Sequence, residues 1–167
     1  MISLEDDSMI PSDHYVRLYN ELFKMLGERG REDLREYWRE ISRLQKTLLG
    51  PFIEADGLRG MYTYWEHIRV EENCDADLKL TDDYFEFKML KCPSLAKAMD
   101  NDAGAYEYYC DHCSGWIAPI MEQYGYHLAY DMISRTEPRC IMRVYKDRDK
   151  AQAFLKQARL PARPYGD

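Results

Sequence analysis

The sequence predicts an α+β fold: a helical N-terminal half plus a four-stranded antiparallel sheet in ββαββ order, with a central helix packed on it. Three observations carry this. Apolar residues recur at three- and four-residue steps from Ser12 to Glu72. The period changes to two near Ala76. A dense helical stretch, Ala105–Gly125, then separates two pairs of such strands. Helices and strands segregated in this way make an α+β protein.

The elements follow in order. Residues 1–11 read as a loose leader. Ser12 or Asp13 caps a first helix to about Leu26, with Tyr15, Leu18, Tyr19, Leu22, Phe23 and Leu26 as its stripe. A second helix, Arg31–Leu49, buries Leu34, Tyr37, Trp38, Ile41, Leu44 and Leu48, and Gly50-Pro51 stops it. A third, Leu58–Glu72, turns Met61, Tyr64, Trp65 and Ile68 inward. His67 and Glu71 lie four apart, a spacing that suits a metal pair or, more commonly, a solvated face. Strands Ala76–Leu80 and Tyr84–Leu90 flank the turn Thr81-Asp82-Asp83, with Phe85, Phe87 and Met89 inward and Tyr84, Glu86 and Lys88 wet. Pro93 ends the second strand, and a short helix Ser94–Met99 follows. Asp100-Asn101-Asp102 can cap the central helix. After it come strands Tyr126–Arg135 and Cys140–Lys146, a helix Arg148–Ala158, and a frayed tail, Pro161–Asp167. No repeat or linker interrupts the chain, so residues 1–167 read as one domain.

Composition narrows the function. A net charge of −7 argues against a nucleic-acid partner. An anionic ligand would need local arginines. No apolar run approaches ~18 residues, so no membrane span is expected. The acidic start lacks a signal-peptide core and reads as cytoplasmic. The 14 tyrosines suit either a core edge or a pocket for a small polar ligand. Five cysteines, an odd number without an export signal, point to reduced thiols rather than a disulfide framework. Oligomeric state is not legible.

The reactive groups concentrate in the run Cys110-Asp111-His112-Cys113. With a helix starting near Ala105, both thiols point inward, while Asp111 and His112 sit on the flanks. Cys74, in an acidic turn, reads as structural or incidental. Three readings of the remaining cysteines compete. They are small buried hydrophobes. They bind zinc or an iron–sulfur cluster through Cys92, Cys110, Cys113 and Cys140, although a second closely spaced ligand pair is missing. Or one thiol is a nucleophile and Asp111 moves protons, with His112, Arg135, Arg139 or Arg143 supplying positive charge.

Three segments carry a resemblance: Lys91-Cys92-Pro93, Tyr109-Cys110-Asp111, and Arg135-Thr136-Glu137-Pro138-Arg139-Cys140. Across residues 55–147 the chain resembles the L-2-amino-thiazoline-4-carboxylic acid hydrolase family. Its layout is also similar to the 4-vinyl reductase domain, a small-molecule-binding fold. The sequence departs from the hydrolase pattern at Thr136, where glycine is expected, and at Ile141-Met142, where Asp-Phe is common; Cys113 has no counterpart there. The resemblance implies a hydrolase that opens a cyclic amidine-like carbon flanked by nitrogen and sulfur. Cys110 would be the nucleophile, Asp111 the general acid/base and Arg135 the carboxylate clamp, with Cys92 and Cys140 completing the site. Tyr106, Tyr109 and His112 would line the substrate. No cofactor is required; zinc belongs to the alternative reading. That alternative is a non-catalytic module that binds or senses a small molecule or metal.

Overall fold

The computed structural model describes residues 12–100 and 104–162; the expected leader, part of the proposed Asp100-Asn101-Asp102 cap and residues 163–167 lie outside them. The order is α1 (Ser12–Arg29), α2 (Arg31–Glu71), β1 (Asp75–Leu80), β2 (Tyr84–Lys91), α3 (Pro93–Met99), α4 (Asp111–Gln123), β3 (His127–Asp131), β4 (Cys140–Tyr145) and α5 (Arg148–Leu155). The fold is α+β as expected. All strand pairs are antiparallel, and the spatial order is β1-β2-β4-β3. From β2 the chain passes through α3 and α4 to the far edge strand, then returns beside β2. No described helix is long and apolar enough to cross a membrane.

Two cores form. The larger joins α2, the sheet and α4 through Leu49, Met61, Trp65, Phe85, Ile120, Met121 and Val144. The smaller joins α1, α2, α3 and the chain before α4 through Phe23, Trp38, Leu95 and Tyr109. Strands with one face on helices alternate inward and outward; Phe85 and Phe87 are buried and Met89 packs against the same core, as the period predicts. Glu86 does not stay wet. It is buried and bonds the Nε of Arg143, because α5 covers the outer face of β3 and β4, and Arg143 lies over the Phe154 ring.

Four boundaries differ from expectation. Pro51 does not stop the second helix; α2 is two helical limbs joined at a kink, and the second limb begins at Leu58 as expected. The break falls at Asp56 and Gly57, where the backbone leaves helical values, with a φ of 52° at Gly57. Beyond it the backbone closes so tightly that a Cβ on Gly60 would lie 1.7 Å from the Phe52 carbonyl oxygen. The central helix starts at Asp111, not Ala105. Asn20 of α1 holds the segment before it: its side chain accepts the Tyr106 N–H at 2.8 Å and donates to the Gly104 carbonyl at 2.9 Å. Asn20 is thus fully buried, while Tyr15 and Leu18 of the expected stripe are exposed, as are Leu44 and Leu48 on α2. Strand β3 stops at Asp131, whose carboxylate accepts the Ile133 N–H at 2.9 Å. Pro161 and Ala162 do not fray: Pro161 bridges Asp131, and the Ala162 N–H donates to the Tyr130 carbonyl at 2.9 Å.

Candidate functional site

The site is built where the two cores meet, at the first turn of α4. Cys110 is the N-cap of α4, and Asp111, His112 and Cys113 are its first three residues. The late helix start therefore places both thiols at the positive end of the helix dipole. It also turns His112 inward, although it was expected on a flank: His112 is buried between Phe23, Tyr109 and Trp116, with Trp116 centred 4.5 Å away. Gly115, which weakens a helix in isolation, is required here, since a Cβ would meet the Trp38 ring at 2.8 Å.

His112 Nδ1 bonds the Tyr109 carbonyl, and Nε2 lies 3.4 Å from the Cys113 sulfur. A carbonyl only accepts, so Nδ1 carries the proton and Nε2 presents its lone pair to the Cys113 S–H. The Tyr130 hydroxyl sits 3.1 Å from the Cys140 sulfur. Two polar pairs therefore stand here, His112–Cys113 and Tyr130–Cys140. Cys92 serves as N-cap of α3, its sulfur accepting the Leu95 N–H at 3.3 Å, and its own N–H donates to the Pro138 carbonyl.

Burial dominates the electrostatics. It pushes the Cys113 and Cys92 thiols up to about 11, and raises Cys110 and Cys140 further. After burial, Cys113 and Cys92 are the next causes at Cys110, and both also act on Cys140, so the four thiols share one neighbourhood. His112 is driven down to about 4, again by burial first. At neutral pH the pair is thus thiol and neutral imidazole.

The other expected residues divide. Arg135 Nη1 lies 3.0 Å from Asp111 Oδ1 and Nη2 lies 3.5 Å from Oδ2; it also donates to the Glu107 carbonyl and stacks on Tyr108. Arg135 is therefore already engaged by the neighbouring carboxylate. Tyr109 is buried with its hydroxyl 2.7 Å from Ser94 Oγ. Tyr106 packs against Gly27 of α1, where a Cβ would meet its hydroxyl at 2.5 Å, a packing role. Arg139 pairs with Glu137, and Arg143 faces the α5 side, donating to Glu86 and Tyr145. His67 Nε2 lies 3.1 Å from Glu71 Oε1, and both side chains are exposed. Cys74 is buried in the larger core, as its structural reading has it. Among the described residues no three His, Cys, Asp or Glu side chains gather as a metal-ligand set.

Tyr130 escaped the sequence reading, yet its signal was present. It pairs with Met142 in the β3–β4 register, which makes Cys140 its diagonal neighbour on the same face. Comparison with known protein families, with curated proteins and with solved structures returned no match. Function is therefore read from the geometry of the site.

Proposed function

We propose that the chain is a thiol-dependent hydrolase that opens a small cyclic C–N/C–S substrate, of the kind represented by a 2-aminothiazoline carboxylate. One observation carries it: an imidazole oriented by a backbone carbonyl, with its free nitrogen on a thiol. A nucleophile, a base and a group that orients the base are the parts covalent catalysis needs. On this reading the nucleophile is Cys113, the thiol with a base, rather than Cys110.

The steps balance as the addition of one water. His112 Nε2 takes the Cys113 proton as the sulfur adds to the ring carbon between nitrogen and sulfur. The ring C–S bond breaks, and the departing sulfur takes the proton back from His112. Water then adds to the same carbon, the Cys113 thiol leaves, and a carbamoyl-type product remains. A substrate carboxylate exchanges for Asp111 on Arg135, which frees Asp111 to move protons. Two buried indole N–H groups, of Trp38 and Trp116, lack acceptors among the described residues, and a polar substrate can supply one.

The test is hydrolysis of 2-aminothiazoline-4-carboxylate. Cys113→Ser should abolish turnover, since a hydroxyl is a far weaker nucleophile. His112→Gln should lower kcat by roughly 10²–10⁴-fold. Cys110→Ser should retain turnover. Loss in Cys110→Ser with full activity in Cys113→Ser would move the nucleophile to Cys110. No turnover by the wild type, with unreactive thiols and stoichiometric zinc, would favour the binding module.

A further inference from the structure

Cys110 and Cys113 are spaced as Cys-x-x-Cys, and neither is in a disulfide. Cys110 caps α4 and Cys113 lies one turn in. The Cys113 N–H donates to the Cys110 carbonyl at 3.3 Å, an i→i+3 bond that winds this turn more tightly than an α-helix. Helical residues three apart hold their Cβ atoms ~5–6 Å apart. A disulfide needs ~3.5–4.5 Å, so a slight tightening of this end turn brings the sulfurs into bonding range. Both residues keep part of their surface exposed. The two other thiols nearby are engaged elsewhere: Cys140 by the Tyr130 hydroxyl at 3.1 Å, and Cys92 by the Leu95 N–H at 3.3 Å.

We propose that Cys110 and Cys113 form a reversible dithiol–disulfide couple that exchanges with low-molecular-weight disulfides. Cys113 attacks first because its sulfur has a base beside it, His112 Nε2 at 3.4 Å. Its sulfur bonds to one sulfur of the small disulfide, the S–S bond breaks, and the released thiolate takes the proton from His112. The Cys110 sulfur then attacks Cys113 in the mixed disulfide. The second small thiolate leaves and takes the Cys110 proton. Two protein thiols are oxidised and one disulfide is reduced to two thiols, with no other reactant. Burial works in the same direction, because it denies the reduced form the thiolate stabilisation that would resist oxidation. The couple uses the thiol of the hydrolytic reading but does not depend on it, so the test reads the thiols without substrate.

The reduced full-length protein is incubated with oxidised glutathione, quenched with an alkylating agent and peptide-mapped. Two of the five thiols should escape alkylation, the mass should fall by two hydrogens, and the link should join Cys110 to Cys113; dithiothreitol should restore all five. In Cys110→Ser, resolution is blocked, and one glutathione should remain on Cys113. Five alkylated thiols in the wild type, or a link from Cys113 to Cys140 or Cys92, would overturn the proposal. Mapping as expected alongside an inactive wild type would sink the hydrolytic reading and leave the couple standing.

Discussion

His112 shows how burial turns one side chain into a pH sensor of stability. An unfolded histidine titrates near its ordinary 6.5, whereas His112 in the fold is held down at about 4. Between those values the unfolded chain binds a proton that the native chain refuses. The contribution is therefore complete above pH 6.5 and is lost as pH falls toward 4. Its full size is about 3 kcal/mol, since each tenfold change in proton affinity is worth about 1.4 kcal/mol. Urea midpoints at about pH 7 and about pH 5 should differ more for the wild type than for His112→Gln; equal differences in the two proteins would refute the assignment. The same depression shapes activity. Because the resting pair is neutral, kcat/KM should rise through an acid limb near pH 4 and then stay flat across neutrality, unlike a preformed thiolate–imidazolium pair. A limb near the ordinary 6.5 would show that His112 is hydrated rather than buried.

At the scale of elements, glycines decide where helices meet. Gly115 lets α4 lie against the Trp38 ring of α2, and Gly60 lets the second limb of α2 return past Phe52. Gly115→Ala puts a methyl within 2.8 Å of a buried ring. It should cost about 1–3 kcal/mol, the usual penalty of overpacking. Gly60→Ala meets backbone, which cannot swing aside, and should cost more than about 3 kcal/mol. Chemical denaturation of both variants checks the order; Gly60→Ala as stable as the wild type would mean the bend at Asp56 and Gly57 is not held by this contact. Pro51 illustrates the same contest from the other side. Its ring forfeits one helical hydrogen bond, yet Leu49 and Ile53 on either side of it are buried in the larger core, and that packing outweighs the local loss.

Across the whole molecule, Asp131 ties the end of the described chain to the sheet. Its carboxylate accepts the backbone N–H groups of Ile133, Arg159 and Leu160 at 2.9, 3.1 and 2.9 Å. The first of these bonds accompanies a φ of 59° at Ile133, a conformation β-branched residues seldom take. Asp131→Ala leaves three donors without their acceptor and should destabilise by about 2–4 kcal/mol. Limited proteolysis should then cut near Arg159 before the β2–β4 pair is lost. Unchanged cleavage would show that the β-bridge to Pro161 and the Ala162 N–H bond suffice.

The sequence by itself determined what rests on local periodicity. Period-two alternation placed β1 and β2, and the i, i+3, i+4 stripe around Met61, Tyr64 and Trp65 set the inward face of that helix. It also drew attention to Cys110–Cys113, because reactive residue types are visible without a fold. Only the tertiary structure decided the partners. Asn20, more than eighty residues earlier, holds the segment before α4, and the helix begins late enough to put both thiols in its first turn. Tyr130 reaches the cysteines through a strand register, and Glu86 is buried because α5 covers its face. Such contacts join residues distant in sequence, and no local period encodes which distant group will capture a backbone N–H or an imidazole.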